Sequence, residues 1–321
     1  MNQSNAQTSS NQETTENSSK NNILELPPQK RIPYVWKIRV KYKRGEEITK
    51  KLQSCYDSVV EGAREPECLL ITGPKRVGKS TIIESFAGLF PRTLTETGTI
   101  IPVSKSIIGL PVTPANVMTD LLESLGDHKA DRGTTGGRRY RADRFLEDCQ
   151  VRMVVFDEFQ HMKDRENERI LYTTLDWMKT IIKKHSISCV LTGINEQSEE
   201  IIRSNDQLAG LFPDPEVLAP FKWDERADET IKEFKIFLQD FEYLLPFRQL
   251  SHLETEPLAN NIFLATEGYI GFISMLLRHG AKLALADGKE KLTEHYLKIA
   301  FDNRLGGIRR GIVNPFVNSK K

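Results

Sequence analysis

The chain has 321 residues, with 45 lysines and arginines against 44 aspartates and glutamates and a formal net charge of +1. That length holds a medium domain plus a smaller one, and the charge balance excludes a polycation, so any nucleic-acid affinity must come from local basic patches. Four scattered cysteines (Cys55, Cys68, Cys149, Cys189) argue against zinc and for a reduced, cytoplasmic setting, and no apolar run nears the ~18 residues of a membrane span.

In chain order, residues 1 to about 22 are almost all Asn, Ser, Gln, Thr, Lys and Glu, too polar to offset the entropy of ordering. They lack the apolar core of a secretory signal. A basic, aromatic stretch follows, Gln29 to Arg44, whose alternation from Trp36 to Tyr42 predicts a short extended piece. A helix is expected from roughly Glu46 to Glu61. The apolar run Cys68 to Ile71 reads as a buried strand, and Ile82 to Phe86 opens a helix. A second strand is expected at Thr99 to Val103. Thr113-Pro114 starts a helix through Leu125, with proline in its first turn. Asp127 to Arg144 is a Gly-rich, basic loop running into a helix. Strands at Met153–Phe156 and Ile187–Leu191 flank a helix over Glu168–Lys184. Alternating strands and helices imply a parallel, doubly wound sheet. After Pro220 only helices remain, over Arg226–Leu245, Pro257–Ala265, Tyr269–Ala286 and Thr293–Asp302, a small all-helical unit. The tail from Arg304 to Lys321 is basic, and Asn314-Pro315-Phe316 within it is expected to dock a partner.

The chemistry concentrates at Gly73-Pro74-Lys75-Arg76-Val77-Gly78-Lys79-Ser80-Thr81, which fits G-x-x-x-x-G-K-[ST] between strand and helix. Glycines let the backbone curl so that its amides face an anion, and the positive end of the following helix adds to that field. These nine residues are therefore expected to bind ATP, with Lys79 at the β/γ-phosphates and Ser80 on Mg²⁺. Met153-Val154-Val155-Phe156-Asp157-Glu158 is an apolar strand ending in two acids. Asp157 would hold Mg²⁺, directly or through water, and Glu158 would polarise the attacking water. At the end of the next strand, Thr192 or Asn195 would sense the γ-phosphate or orient that water. In the loop His128 to Arg141, Lys129, Arg132, Thr134, Arg138 and Arg139 have the charge and hydroxyls for phosphate contacts with DNA, largely independent of sequence. A solvated loop is the competing reading.

These landmarks resemble an AAA+ ATPase, and more narrowly the TniB/TnsC family of transposition regulators. The resemblance rests on Arg31 to Trp36, the phosphate loop, Val151 to Glu158, Leu191 to Glu196, Ile202 to Leu208, Phe221 to Asp224 and Ala265 to Gly271. It implies a P-loop AAA+ core with a small C-terminal helical lid, divided as tail 1–28, core 29–220, lid 221–303 and basic tail 304–321. It also implies a slow ATPase that forms a ring or filament of identical subunits on double-stranded DNA, the loop at 128–141 facing the bore. Such a protein would connect a TniQ/TnsD-like target selector to a transposase, in an ordinary or CRISPR-associated transposon. The chain departs from the family at Ala209-Gly210-Leu211-Phe212, which lacks the expected trans-acting arginine, at Gly193-Ile194 and at Phe272. A scaffold NTPase that never touches DNA is the alternative, and an AAA+ replication loader ranks last.

Overall fold

The structure, a computed structural model, describes residues 20–96, 98–163, 168–212, 214–309 and 311–317, with 168–170 and 206–207 described by backbone alone. The polar run through residue 19 lies outside the described residues. The described chain divides into two units: an α/β unit within residues 43–219, and a helical unit formed by residues 20–42 and the described residues of 220–317.

In the α/β unit, α1 (Lys43–Val60) leads to β1 (Leu69–Thr72), and α2 (Lys79–Ala87) follows the phosphate loop. A two-stranded hairpin, β2 (Thr93–Thr95) and β3 (Gly98–Ile100), precedes β4 (Val103–Ile107). Then come α3 (Pro114–Leu125), α4 (Thr135–Asp148), β5 (Met153–Asp157), α5 (Glu168–His185), β6 (Ser188–Gly193), α6 (Asn195–Arg203) and β7 (Glu216–Val217). The main sheet is parallel in the order β4-β5-β6-β1-β7. Every residue of β5 and β6 is buried, so the middle of the sheet is covered on both faces, as a parallel sheet requires. The expected strand Thr99–Val103 is in fact two strands. Pro102 lies between them; it lacks an N–H, and the ladder of β4 begins after it.

Local chemistry sets the helix ends. Thr113 accepts the amide of Asn116 at 3.1 Å, Pro114 occupies the first turn, and Gly126 closes α3 at φ +91°. Val117, Met118, Leu121, Leu122 and Leu125 then share one buried face, joined in the core by Phe156, Phe159 and Leu191.

The helical unit holds α7 (Asp228–Leu244), α8 (Leu258–Thr266), α9 (Ile270–Ala286) and α10 (Glu294–Ala300), continued by a wider turn at Phe301–Leu305. Its core gathers Phe234, Phe237, Phe241, Ile273, Leu276 and Leu297. Four expectations change here. Residues 29–42 join this unit, because Val35 and Ile38 bury their side chains in its core. Instead of an extended piece, the segment has a helical turn at Ile32–Val35 and an irregular run to Tyr42. Part of the stretch expected to be disordered, residues 1–28, is structured: residues 20–25 are helical, and Leu24 and Leu26 give carbonyls to the buried Arg31 guanidinium. In the tail, Phe316 is buried in the unit's own core, and Asn314 Nδ2 donates to Lys298 O and Asp302 Oδ1. Phe316 is thus committed within the chain and is not a free docking residue.

Candidate functional site

The loop from Gly73 to Gly78 joins β1 to α2 and is pinned from below by Val77, whose side chain is fully buried. A Cβ on Gly73 would stand 2.3 Å from the Leu218 carbonyl, so only glycine lets β7 run this close to the loop. Gly78 takes φ +101° at the N-cap of α2 and supplies no side-chain cap. The amides of Lys79, Ser80 and Thr81 therefore open toward the loop without intrahelical partners, as at any helix start. Lys79 Nζ donates to Gly73 O at 2.7 Å and to Pro74 O at 3.0 Å. Burial lowers its pKa, Asp157 and Glu158 oppose that, and Lys75 adds to it.

Across the sheet edge, Asp157 ends β5 and is buried. Its Oδ2 accepts the Ser80 hydroxyl at 2.9 Å, and Lys105 Nζ on β4 lies 3.7 Å away. Its Oδ1 accepts the Glu158 amide at 2.9 Å and the Thr192 hydroxyl. Glu158 itself sits at φ +59°, and its carboxylate accepts Gln160 Nε2. Asn195 opens α6 immediately past β6. The structure thus brings Lys79, Ser80, Asp157, Glu158, Thr192 and Asn195 to the C-terminal edge of neighbouring parallel strands, where open α/β sheets take ligands. Thr192 is engaged with Asp157, which sets it beside the metal-binding carboxylate of the sequence reading.

These residues fit a magnesium nucleotide. Thr72 Oγ1, Asn195 Oδ1 and Ser198 Oγ, at the end of β1 and in the first turn of α6, are buried without a hydrogen-bond partner among the described residues. Such atoms belong beside a polar ligand or its water. Ser80 Oγ and Asp157 Oδ2, hydrogen-bonded to each other at 2.9 Å, are hard oxygen donors of the kind Mg²⁺ takes.

Gln160 and Lys105 were not legible as site residues, since neither belongs to a fixed-offset motif. Lys105 pairs with Glu84 at 3.3 Å as well as facing Asp157. His161, one residue on, turns its Nδ1 to the Ile108 carbonyl at 2.8 Å and so braces the chain behind the acids.

The basic loop is more ordered than its composition suggests. Arg141 donates Nε to Asp127 Oδ2 and Nη2 to the carbonyls of Lys129, Ala130 and Arg132. Arg138 turns inward as well, to Ala115 O, Thr119 Oγ1 and Asp131 O. Thr134 Oγ1 caps α4 by accepting the Gly137 amide at 3.2 Å. Lys129, Arg132 and Arg139 remain exposed on the outside. Arg138 therefore departs from the expectation of a phosphate contact, because its guanidinium already braces the loop.

A phosphate loop on β1, an acidic pair on β5 and the parallel order β4-β5-β6-β1-β7 define an AAA+ type P-loop ATPase fold. A family model described as "Bacterial TniB protein" matches residues 31–223. The chain belongs to that family. Among solved structures it is similar to the Aeropyrum pernix ORC2 protein in its ADPNP–ADP complexes, at TM-score 0.56 and 14% identity over 83% of this chain and 69% of that one. It is also similar to the Aeropyrum pernix ORC1 protein in complex with DNA, at TM-score 0.54 and 16% identity over 80% and 64%. Cdc6p from Pyrobaculum aerophilum gives TM-score 0.51 and 14% identity over 82% and 70%. At these identities the likeness is one of fold. No curated protein matches the chain. Among the described residues, no helix is long and apolar enough to cross a membrane.

Proposed function

We propose that this chain is an ATP-dependent, DNA-binding regulator of transposition. It assembles with copies of itself on double-stranded target DNA and links a TniQ/TnsD-type target selector to the transposase. The observation that carries the reading is the meeting of Lys79, Ser80, Asp157 and Glu158 at one sheet edge, in a chain that belongs to the TniB family. The ADPNP and ADP of the ORC2 neighbour, and the DNA of the ORC1 neighbour, lend it support by analogy of fold.

In this mechanism the loop amides and the N-terminus of α2 bind the triphosphate, and Lys79 exchanges its two carbonyl partners for phosphate oxygens. Ser80 and Asp157 would hold Mg²⁺, which neutralises charge on the β- and γ-phosphates and fixes their orientation. Thr192 keeps the Asp157 carboxylate aligned. Glu158 orients and polarises the attacking water, and Asn195 faces the same water or the γ-phosphate. No arginine stands at 209–212 to complete the site from a neighbouring copy, so hydrolysis is slow and works as a timer for assembly. Lys129, Arg132 and Arg139 neutralise phosphates of the duplex irrespective of sequence. The test is the electrophoretic mobility of a plain duplex with a non-hydrolysable ATP analogue. A nucleotide-dependent shift at low salt is expected; no shift would favour a scaffold NTPase.

A further inference from the structure

We propose that Gln160 is a positioning residue for ATP hydrolysis, tying the Glu158 carboxylate to the β6–α6 turn that carries Asn195; this rests on the hydrolytic reading above. Gln160 lies in the helical turn Phe159–Lys163 just past β5 and is only 7% exposed. A buried amide is costly unless both of its ends are partnered. Here Nε2 donates to Glu158 Oε2, and Oε1 accepts the Ile194 amide at 3.2 Å. The amide group is planar, so its donor and acceptor ends cannot move independently. One side chain therefore holds the base and the head of α6 in a fixed relation.

The surroundings are cut to fit this bridge. A Cβ on Gly193 would lie 2.1 Å from Ser198 Oγ and 2.9 Å from Gln160 Oε1, so any side chain there would push the bridge aside. Glu158 has a left-handed φ of +59°, a conformation a non-glycine residue keeps only when its neighbours determine it. Asp157 Oδ1 fixes its amide, and Gln160 fixes its carboxylate. The turn bearing Gln160 is anchored in its own right, by the His161 amide on Glu158 O at 3.0 Å and by His161 Nδ1 at the Ile108 carbonyl.

The experiment measures steady-state ATP hydrolysis and nucleotide affinity for the full chain and for Gln160→Ala, Gly193→Ala, Glu158→Gln and the double variant Gln160→Ala/Glu158→Gln. Gln160→Ala and Gly193→Ala should each lower kcat about tenfold to a hundredfold while KM and affinity for a fluorescent ATP analogue hold. In the Glu158→Gln background, Gln160→Ala should cost nothing further in single-turnover phosphate release, because no base remains to be positioned. A kcat equal to wild type in Gln160→Ala overturns the proposal, as does the same extra loss in both backgrounds. Loss of nucleotide affinity along with turnover also overturns it, marking the residue as structural. Wild-type protein that binds ATP but never hydrolyses it removes the hydrolytic reading itself, a result distinct from any of these.

Discussion

Lys79 gives its ammonium to two carbonyls of its own loop, in surroundings whose burial already disfavours the charge. An anion in the loop would relieve that cost, so Lys79→Ala should abolish ATP binding in isothermal titration. The Glu158 carboxylate is hydrogen-bonded to Gln160 and, among the described residues, to no amide of the phosphate loop, so Glu158→Gln should leave the binding heat intact and slow phosphate release by about 10²- to 10⁴-fold. Unchanged release would take Glu158 out of the mechanism. The cysteines behave oppositely to reactive thiols: burial pushes Cys55 up to about 12 and Cys68 to about 11, each without a cation to offset it. At pH 8 both should resist alkylation in the native protein and react at once when it is unfolded. The motif residues were legible because phosphate chemistry demands them at fixed offsets. Gln160 was not, because its role depends on where the chain folds back after β5.

At the scale of elements, the loop before α4 and the opening turns of α4 carry two kinds of arginine. Arg132 is exposed, whereas Arg138 is hydrogen-bonded to Ala115 O and Thr119 Oγ1 within the unit. Arg132→Ala should reduce the salt slope of duplex binding by about one unit, while Arg138→Ala should weaken binding through the loop's order and leave the slope alone. An unaltered slope in Arg132→Ala would move the DNA site elsewhere. Helix α3 was readable to the residue because Thr113, Pro114 and Gly126 are all punctuation. β4 was not, because Ser104, Lys105 and Ser106 break its apolar pattern and the tempting apolar run lies across Pro102. The edge strand β7 is too short to leave any period. Phe316 was misread because a lone aromatic in a basic tail carries no sign of whether its own chain covers it.

At the scale of the whole molecule, the parallel α/β unit follows from strands alternating with helices, whereas the return of the N-terminal segment to the C-terminal helices is a long-range event with no local signature. One residue explains how that segment is held. Arg31 is fully buried and forks onto Glu290 at 2.7 and 3.2 Å while donating to Leu24 O, Leu26 O and Pro246 O. Burial pushes the Glu290 carboxyl up, but hydrogen bonds from Arg31 and the Arg248 amide outweigh it and leave the pKa below the ordinary value. A lowered pKa gives stability that is present above the usual carboxylate range and lost as pH falls through the folded value. Glu290→Ala should thus cost about 3 kcal/mol at neutral pH, and its gap from wild type in thermal unfolding should close on acidification. A gap that stays constant with pH would remove the ion pair from the account.

In the proposed function, bound nucleotide drives self-assembly on DNA. Electron microscopy of the purified chain with duplex and a non-hydrolysable ATP analogue tests it most directly. Rings or helical filaments with duplex in the bore, absent without nucleotide and absent in Lys79→Ala, are the expected result; single subunits with both ligands present would contradict it.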